Sequence, residues 1–336
     1  MAREQRQSTA AARETLVEVR GLTVAYGDVV AVDGIDLTIG AGEILGLAGE
    51  SGCGKTTVAN SVLQVLRPPA RSTGGSILFR GDDLTRRSAE ELRRYRWRNV
   101  SMVFQSAMNA LNPVMRVGDQ FVDMMRAHEH ISKRAALTRA AELLDVVGID
   151  KRRIRAYPHE LSGGMRQRVI IAMALALNPE LVILDEPTTA LDVVVQREIL
   201  QQVQDLQHEL GFAVLFITHD LSLLFEFAHR IAIMYAGEII EQAPAAVLRS
   251  TAEHPYTLGL IGSFPSLTGP LVRMTGIPGT PPDLADPPAG CRFHPRCPHC
   301  SDEQSALHTL QTSVRPRLHA VAPGHEVACH LVEQRG

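Results

Sequence analysis

The first predicted elements come from short β-branched stretches that alternate apolar and polar residues. Between Val17 and Ile44 these stretches read VEVRGLTVAY and VVAVDGIDLTI, with Gly and Asp between them. A period of two is typical of half-buried strands, and Gly and Asp favour the turns that join antiparallel neighbours. The pattern therefore predicts an antiparallel sheet in this region.

A helical pattern follows a Gly-rich segment. The segment GEILGLAGESGCGK leads into TTVANSVLQVL, where apolar residues fall at helical spacing until Arg67-Pro68-Pro69. Proline has no amide hydrogen and ends such patterns. We expect a strand, a Gly-rich loop and a helix in succession.

Further along the chain, wholly apolar strands alternate with amphipathic helices. The predicted strands are LVILD, AVLFITHD and RIAIMYAGEII, and the predicted helices include one after Ser162 and one from Asp192 to Leu210, ended by Gly211. Strands without polar alternation are buried on both faces, as in a parallel sheet covered by helices. The sequence predicts an α/β fold.

Two regions depart from this alternation. An apolar stripe after Ser132, preceded by DQFVDMMRAH, predicts a helical insertion. Ten prolines lie between Pro255 and Pro298 without sustained periodicity. We predict an N-terminal tail at 1–16, a nucleotide-binding domain at 17–253 with a helical subdomain at about 106–165, and a Pro-rich C-terminal extension at 254–336.

Composition is that of an ordinary globular protein. The 336 residues are 45% hydrophobic and 21% charged, and the formal net charge is −3. No global basic field of the kind that marks a nucleic-acid binder exists, and we expect no nucleic-acid partner. The longest wholly apolar run, Val169 to Leu177, is far shorter than the roughly 20 residues of a membrane-spanning helix. The first residues lack the apolar block of a secretory signal, so we expect the protein to stay in the cytosol.

The Gly-rich loop has a specific chemistry. Gly49 to Thr56 fits G-x-x-x-x-G-K-[ST] between a predicted strand and a predicted helix. Glycines let backbone N–H groups turn towards phosphate oxygens, Lys55 reaches the outer phosphates, and Thr56 can ligate Mg²⁺. A Gly-rich tight turn is the alternative, but it leaves the charge of Lys55 without a purpose.

Acidic and imidazole side chains end the next buried strands. Asp185 and Glu186 follow LVIL, and His219 follows AVLFIT. Ligands of open α/β sheets bind at the carboxyl ends of the strands. We expect Asp185 to hold Mg²⁺, Glu186 to orient and deprotonate the attacking water, and His219 to reach the γ-phosphate. Two acids that begin a turn before Pro187 are the alternative for the pair taken alone.

A second anion site is predicted at Ser162-Gly163-Gly164. A hydroxyl and bare backbone amides there start a helix, whose N-terminus attracts negative charge. A helix cap with flexible glycines would explain Ser162 and Gly163 alone. The chain is therefore expected to carry two phosphate-binding surfaces.

These residues resemble the motifs of the ATP-binding cassette (ABC) family. Tyr26 matches the aromatic residue that stacks on adenine, Gly49 to Thr56 the Walker A loop, and Gln105 the Q-loop. LSGGM matches the signature, Asp185 and Glu186 the Walker B pair, Ala190-Leu191-Asp192 the D-loop, and His219 the switch histidine. The implied fold is a P-loop NTPase ABC cassette with a RecA-like parallel sheet core, an antiparallel β subdomain and a helical subdomain, here followed by a Cys-containing C-terminal extension.

The resemblance implies a set of site residues. Those expected to bind nucleotide are Tyr26, Gly49, Glu50, Ser51, Gly52, Cys53, Gly54, Lys55, Thr56, Thr57, Gln105, Ser162, Gly163, Gly164, Asp185 and Asp192. Those expected to take part in catalysis are Lys55, Gln105, Glu186 and His219, and those expected to hold Mg²⁺ are Thr56, Gln105 and Asp185. The cofactors implied are ATP and Mg²⁺.

Within the family, the chain looks like an ATP-binding subunit of the oligopeptide/dipeptide importer group. The segments that carry this likeness include YPHELSGGMRQRV, HPYTLGLIGSFPS, GIPGTPPDL and GCRFHPRCP. Met165 stands where the more general signature has Gln. The resemblance implies an ATPase at the cytoplasmic face of the inner membrane. Its implied partners are a second cassette, expected to form a heterodimer head to tail, two permease subunits and an extracytoplasmic substrate-binding protein.

The cysteines are concentrated in the extension. Cys291, Cys297, Cys300 and Cys329 have His neighbours, and the spacing alone allows either Zn²⁺ or an iron–sulfur cluster. The resembled group implies a [4Fe-4S] cluster at these four residues. In the resembled group, the third cysteine usually lies at the position that Gln304 occupies in this chain. Unligated thiols are the remaining alternative.

Other functions have less support in the motifs. Import of nickel or oligosaccharides would use the same machinery, because the permease and the binding protein select the substrate. A soluble ABC ATPase of DNA repair or translation would carry a long coiled coil or a second cassette, which this sequence does not contain. A metal-based redox sensor would have no need of Glu186 and His219.

Overall fold

The computed structural model describes residues 13–105, 110–188, 192–263, 276–300 and 305–334. The strands are Thr15–Tyr26 (β1), Val29–Gly40 (β2), Ile44–Ala48 (β3), Ala70–Phe79 (β4), Asp82–Asp83 (β5), Val100–Val103 (β6), Leu181–Asp185 (β7), Ala213–Thr218 (β8), Arg230–Tyr235 (β9), Glu238–Pro244 (β10), His319–Ala322 (β11) and His325–Val327 (β12). The helices are Lys55–Val62 (α1), Ala89–Arg98 (α2), Val117–His128 (α3), Lys133–Val146 (α4), Gly163–Ala174 (α5), Val193–Leu210 (α6), Leu221–Phe227 (α7), Ala245–Thr251 (α8), Pro255–Gly262 (α9), Ala306–Ser313 (α10) and His330–Glu333 (α11). No helix in these ranges has the length and apolar character needed to span a membrane.

The predicted antiparallel sheet is present. β1 pairs antiparallel with β2 and with β4, and the strand order is β2-β1-β4-β5. Its apolar side chains, Val19 and Ile39 among them, pack against those of β3 and α1 in one buried cluster. The alternation seen in the sequence thus corresponds to one buried face and one exposed face.

A larger sheet forms the centre of the fold. Its order is β11-β12-β10-β9-β3-β8-β7-β6, and β9, β3, β8, β7 and β6 run parallel. Every residue of β3, β7 and β8 is buried, because helices cover one face of these strands, and α1 and the antiparallel sheet cover the other. The predicted cassette fold, with its parallel core and its antiparallel subdomain, is confirmed.

Helices α3, α4 and α5 pack together beside the parallel sheet. Ser132 caps α4, as its sequence position predicts, because its hydroxyl accepts a hydrogen bond from the amide of Ala135. Ala136, Ala140 and Leu143 form the buried stripe of α4. Residues 106–109, at the start of the predicted helical subdomain, lie outside the described residues.

Two predicted elements have different bounds. RIAIMYAGEII forms two antiparallel strands, β9 and β10, because Ala236 and Gly237 have positive φ angles of 46° and 86° and make a hairpin turn. Helix α1 ends at Val62, well before the prolines. The left-handed φ of 56° at Gln64 ends it, and the side chain of Gln64 caps the carbonyl of Ser61.

The C-terminal segment packs against the cassette and extends its main sheet. β12 pairs with β10 through Glu241↔Val327 and Gln242↔Glu326, and β11 pairs with β12. Phe293 belongs to the main hydrophobic cluster. The predicted extension at 254–336 therefore shares both sheet and core with the preceding residues.

A buried carboxylate joins the two segments. Glu241, in β10, is fully buried and accepts hydrogen bonds from the amides of Glu253 and His254 and from Nε2 of His325 at 2.8 Å. A buried charge is tolerated only when it is fully hydrogen-bonded. Glu241 thus holds both the start of α9 and strand β12 against strand β10.

Candidate functional site

The Gly-rich loop connects β3 to α1 in a conformation that only glycine allows. Gly49, Gly52 and Gly54 have φ angles of +155°, +80° and +108°. A Cβ at Gly49 would lie 2.1 Å from the carbonyl oxygen of Met234, and one at Gly54 would lie 2.6 Å from that of Ala31. Side chains are therefore excluded, and the backbone of the loop is free to approach a ligand closely.

Lys55 is the first residue of α1, and its ammonium group turns back over the loop. Its Nζ donates to the carbonyl oxygens of Gly49 at 2.7 Å and Glu50 at 2.9 Å. The side chain is 6% exposed, whereas Ser51, Gly52 and Thr56 are more open to solvent. The loop thus combines a positive charge, exposed backbone and the N-terminus of a helix, which together attract phosphate.

Asp185 ends β7 with an orphaned carboxylate oxygen. The residue is 1% exposed, and its Oδ1 has no hydrogen-bond partner in the described ranges. Burial raises the pKa of Asp185, while the hydroxyl of Thr56 and the charge of Lys55 act against this shift. A buried, unpartnered oxygen beside a hydroxyl matches the oxygen ligands that Mg²⁺ requires.

Glu186 contacts two other predicted residues, Gln105 and His219. Its Oε2 accepts a hydrogen bond from Nε2 of Gln105 at 3.1 Å, and its Oε1 lies 3.1 Å from Nδ1 of His219. Glu186 has a φ angle of +45°, which is uncommon for a residue with a side chain and is typical of functional positions. Its amide is held by the carbonyl of Ile217 in β8, so the neighbouring strand fixes this conformation.

Tyr26 lies at the edge of the loop. Its ring is 38% exposed at the end of β1, and its hydroxyl lies 3.2 Å from Oγ1 of Thr57. Cys53, in contrast, is buried, and burial raises the pKa of its thiol. Tyr26 therefore presents a flat, exposed face next to the loop, whereas Cys53 does not reach solvent.

A second group of predicted residues begins two helices. The hydroxyl of Ser162 caps α5 by accepting from the amide of Met165, and the carboxylate of Asp192 caps α6 by accepting from Val194 and Val195. A Cβ at Gly164 would lie 2.8 Å from Cγ1 of Val195, so this glycine lets the two helix starts approach closely. Ala190 and Leu191, which the sequence assigned to the D-loop, lie outside the described residues.

The C-terminal segment contacts the Gly-rich loop, which the sequence did not predict. Arg296 donates from both terminal nitrogens to the carboxylate of Glu50, at 2.7 and 3.0 Å. The hydroxyl of Tyr256 accepts from the amide of Glu50 at 3.0 Å. Because 246 residues separate Arg296 from Glu50, no local pattern could connect them. The one available signal was that Arg296 belongs to the GCRFHPRCP segment.

The cysteines of the C-terminal segment do not match the predicted cluster. Among the residues that the structure describes, no group of three or more His, Cys, Asp or Glu side chains could hold a metal ion. Burial raises the pKa of Cys291 to about 12 and that of Cys297 to about 11. The predicted [4Fe-4S] cluster is therefore not supported.

A Gly-rich loop between a strand and a helix, with an orphaned carboxylate at the end of another parallel strand of the same sheet, defines a P-loop nucleotide-binding protein. The ABC transporter family model matches residues 32–189, and the model of the oligopeptide/dipeptide transporter C-terminal region matches residues 240–303.

Curated relatives extend the match over nearly the whole chain. The oligopeptide transport ATP-binding protein OppD of Bacillus subtilis is 45% identical over 83% of this chain and 80% of its own. The dipeptide transport ATP-binding protein DppD of the same organism is 41% identical over 96% of each chain. This chain belongs to the ABC transporter family.

Solved structures agree. An ATP-binding cassette determined as a dimer in a post-hydrolysis state with ADP and Pi is 28% identical, with a TM-score of 0.60 over 68% of this chain and 99% of that one. The predicted family, fold and activity, an ATPase of an ABC transporter, are confirmed. The ATP and Mg²⁺ expected for such an ATPase fit the loop and Asp185.

Proposed function

We propose that this protein hydrolyses ATP to energise the uptake of peptides through separate permease subunits. The observation that carries the proposal is the carboxylate of Glu186, flanked by Gln105 and His219 at 3.1 Å each, beside a phosphate loop. Relatives whose names specify oligopeptide or dipeptide transport support the substrate class.

The proposed ATP site uses the residues around the loop. The backbone of Gly49 to Gly54 and the side chain of Lys55 hold the phosphates, and the exposed ring of Tyr26 stacks on adenine. Thr56, Gln105 and Asp185 hold Mg²⁺, which supplies positive charge to the phosphoryl oxygens. Their oxygen donors, above all the orphaned Oδ1 of Asp185, suit this ion.

Hydrolysis is proposed to depend on Glu186 and His219. Glu186 accepts the proton of the attacking water, and His219 donates a hydrogen bond to the γ-phosphate. The contact between Nδ1 of His219 and Oε1 of Glu186, at 3.1 Å, orients the imidazole beside the proposed proton acceptor. The hydrogen bond from Gln105 links the same carboxylate to the end of β6.

We also propose that the complete site forms between two cassettes. Ser162, Gly163 and Gly164 at the start of α5, and Asp192 at the start of α6, bind across to the nucleotide of the partner. Val193 and Val194 follow Asp192 and are 67% and 68% exposed, as expected of apolar residues that a partner covers. The partner is proposed to be a different cassette, so that the pair is a heterodimer.

An apolar groove beside Gln105 suits a permease segment. It has a volume of about 360 Å³ and is lined by residues that include Trp97, Phe104, Leu111, Met115 and Met173. Phe104 is 50% exposed and directly precedes Gln105. We propose that an apolar helix of one permease subunit docks here, which holds the protein at the cytoplasmic face of the membrane and couples docking to Gln105.

An iron–sulfur cluster at Cys291, Cys297, Cys300 and Cys329 stays a prediction from the resemblance alone. No step of the proposed function requires it. Iron and sulfide analysis of anaerobically purified protein tests it. Stoichiometric iron with acid-labile sulfide would establish the cluster, and protein with free thiols would reject it.

The proposed function is tested with the assembled transporter in proteoliposomes. We expect ATP hydrolysis to rise when the binding protein is loaded with peptide, and labelled peptide to accumulate inside. A binding protein loaded with nickel or an oligosaccharide is the control. Stimulation by one of those ligands and not by peptide would contradict peptide import while leaving the ATPase intact.

A further inference from the structure

Arg296 is held rigidly within the C-terminal segment. Its Nε donates to the carbonyl of Pro278 at 2.7 Å, and its guanidinium lies over the rings of Tyr235 and Phe293, at 5.7 and 6.0 Å from their centroids. The side chain is 5% exposed. The contacts with Pro278, Tyr235 and Phe293 therefore fix the guanidinium independently of the phosphate loop. Its two terminal nitrogens point to Glu50.

Glu50 is the second residue of that loop and is held on three sides. Arg296 holds its carboxylate, Tyr256 accepts from its amide, and its carbonyl accepts from Lys55. Both Arg296 and Tyr256 come from the C-terminal segment, so that segment contacts the loop at side chain and backbone alike. A bidentate guanidinium–carboxylate pair of this kind is specific in geometry as well as charge.

The charge of Glu50 is unfavourable where it stands. A carboxylate within a loop that receives a polyanion repels the phosphates and competes with them for the charge of Lys55. Arg296 neutralises this carboxylate at hydrogen-bond distance. Arg296 itself is too well enclosed to reach a phosphate, because its nitrogens already serve Pro278, Tyr235 and Glu50.

We propose that Arg296 is a positioning residue of the ATP site, which acts through Glu50 by neutralising its charge and fixing the loop. This inference rests on the proposed binding of ATP by the loop. It gives the C-terminal segment a role in nucleotide affinity in addition to its place in the sheet. The mechanism is electrostatic, so the effect of losing Arg296 must depend on the charge of Glu50.

The experiment measures Mg·ADP affinity of the full chain by calorimetry at low salt. We expect R296M to weaken binding about tenfold, as loss of a charge-assisted contact implies. The double variant E50Q/R296M, which lacks both charges, recovers most of the affinity that R296M loses, and E50Q alone completes the double-mutant cycle. R296K keeps the positive charge but loses the bidentate pairing with Glu50, and it should weaken ADP binding less than R296M does.

A matched control separates this role from general docking. Arg292 lies in the same segment, is equally buried, and pairs with Asp33 and Glu238 but not with Glu50. R292M should therefore leave ADP affinity within about twofold of that of the unchanged protein. Equal weakening by R292M and R296M, a double variant as weak as R296M, or R296K as weak as R296M would each overturn the inference. Failure of the unchanged protein to bind ADP would contradict the proposed function instead.

Discussion

Gln105 and Glu186 are 81 residues apart in the chain, and Nε2 of Gln105 donates to Oε2 of Glu186 at 3.1 Å. Gln105 follows β6, whereas Glu186 follows β7, the neighbouring strand of the parallel sheet. A movement of the segment after β6 therefore acts directly on the carboxylate proposed to activate water. The pair joins the segment that carries Phe104, which lines the apolar groove, to the proposed proton acceptor.

Replacing Glu186 with Gln removes the proposed proton acceptor and keeps the shape of the side chain. We expect ATP hydrolysis to fall by about 100- to 10,000-fold, the usual contribution of a positioned base. Phosphate release from the assembled transporter measures this, and ATP binding should persist. E209Q changes an exposed glutamate near the end of α6 and is the control. Hydrolysis by E186Q within threefold of the unchanged protein would rule Glu186 out as the base.

Replacing Asp185 with Asn removes one negative charge from the proposed Mg²⁺ site. We expect the Mg²⁺ concentration for half-maximal hydrolysis to rise about 10- to 100-fold, because the buried anionic oxygen is lost. Titration with Mg²⁺ at saturating ATP measures the effect. D205N, at the exposed residue Asp205 of α6, is the control. An unchanged Mg²⁺ requirement would remove Asp185 from the site.

His254 makes the fold sensitive to acid. It is 1% exposed, and its ring packs against that of Phe293. Its Nδ1 caps α9 by accepting a hydrogen bond from the amide of Tyr256. Its own amide donates to Glu241, which also pairs with His325. Burial lowers the pKa of His254 to about 3. As the pH falls below about 6.5, His254 therefore becomes protonated in the unfolded chain well before it does so in the folded protein.

Stability supplied by neutral His254 is present above about pH 6.5 and is lost as the pH falls towards 3, by up to about 1.4 kcal/mol per pH unit. H254N keeps a capping oxygen and should flatten this slope of the unfolding free energy. Urea denaturation between pH 7 and 4 measures it, with H130N at an exposed histidine as control. Parallel pH profiles for H254N and the unchanged protein would contradict the prediction.

Replacing Phe104 with Ser removes a half-exposed aromatic side chain from the groove. We expect at least about tenfold weaker association with the permease subunits, since a buried aromatic anchor is often worth 2 kcal/mol or more. Copurification after detergent extraction measures association. L210S, at an equally exposed leucine, is the control. Undiminished copurification of F104S would contradict docking at this groove.

The sequence predicted the parts of the site that lie where consecutive elements join. Lys55, Asp185 and His219 each stand at the end of a strand or the start of a helix, so a local pattern suffices to find them. The helix starts at Ser132, Ser162 and Asp192 were found for the same reason, and each of these side chains caps its helix. These positions follow from short-range rules of hydrogen bonding.

What the sequence missed depends on long-range geometry. The pairing of Arg296 with Glu50 and of β12 with β10 joins segments far apart in the chain. The hairpin at Ala236 was hidden because apolar residues continue through β9 and into β10. Cysteine spacing likewise gives the order of thiols along the chain but not the distances between them.

Strand β12 covers the edge of β10, and this arrangement has a consequence during biosynthesis. Gln242 of β10 leaves the ribosome 84 residues before its partner Glu326. Until then β10 presents an open row of amides and carbonyls, which is a template for pairing with another nascent chain. Chains cut short after β10 should thus aggregate even though every residue of the ATP loop, β7 and β8 has already been made.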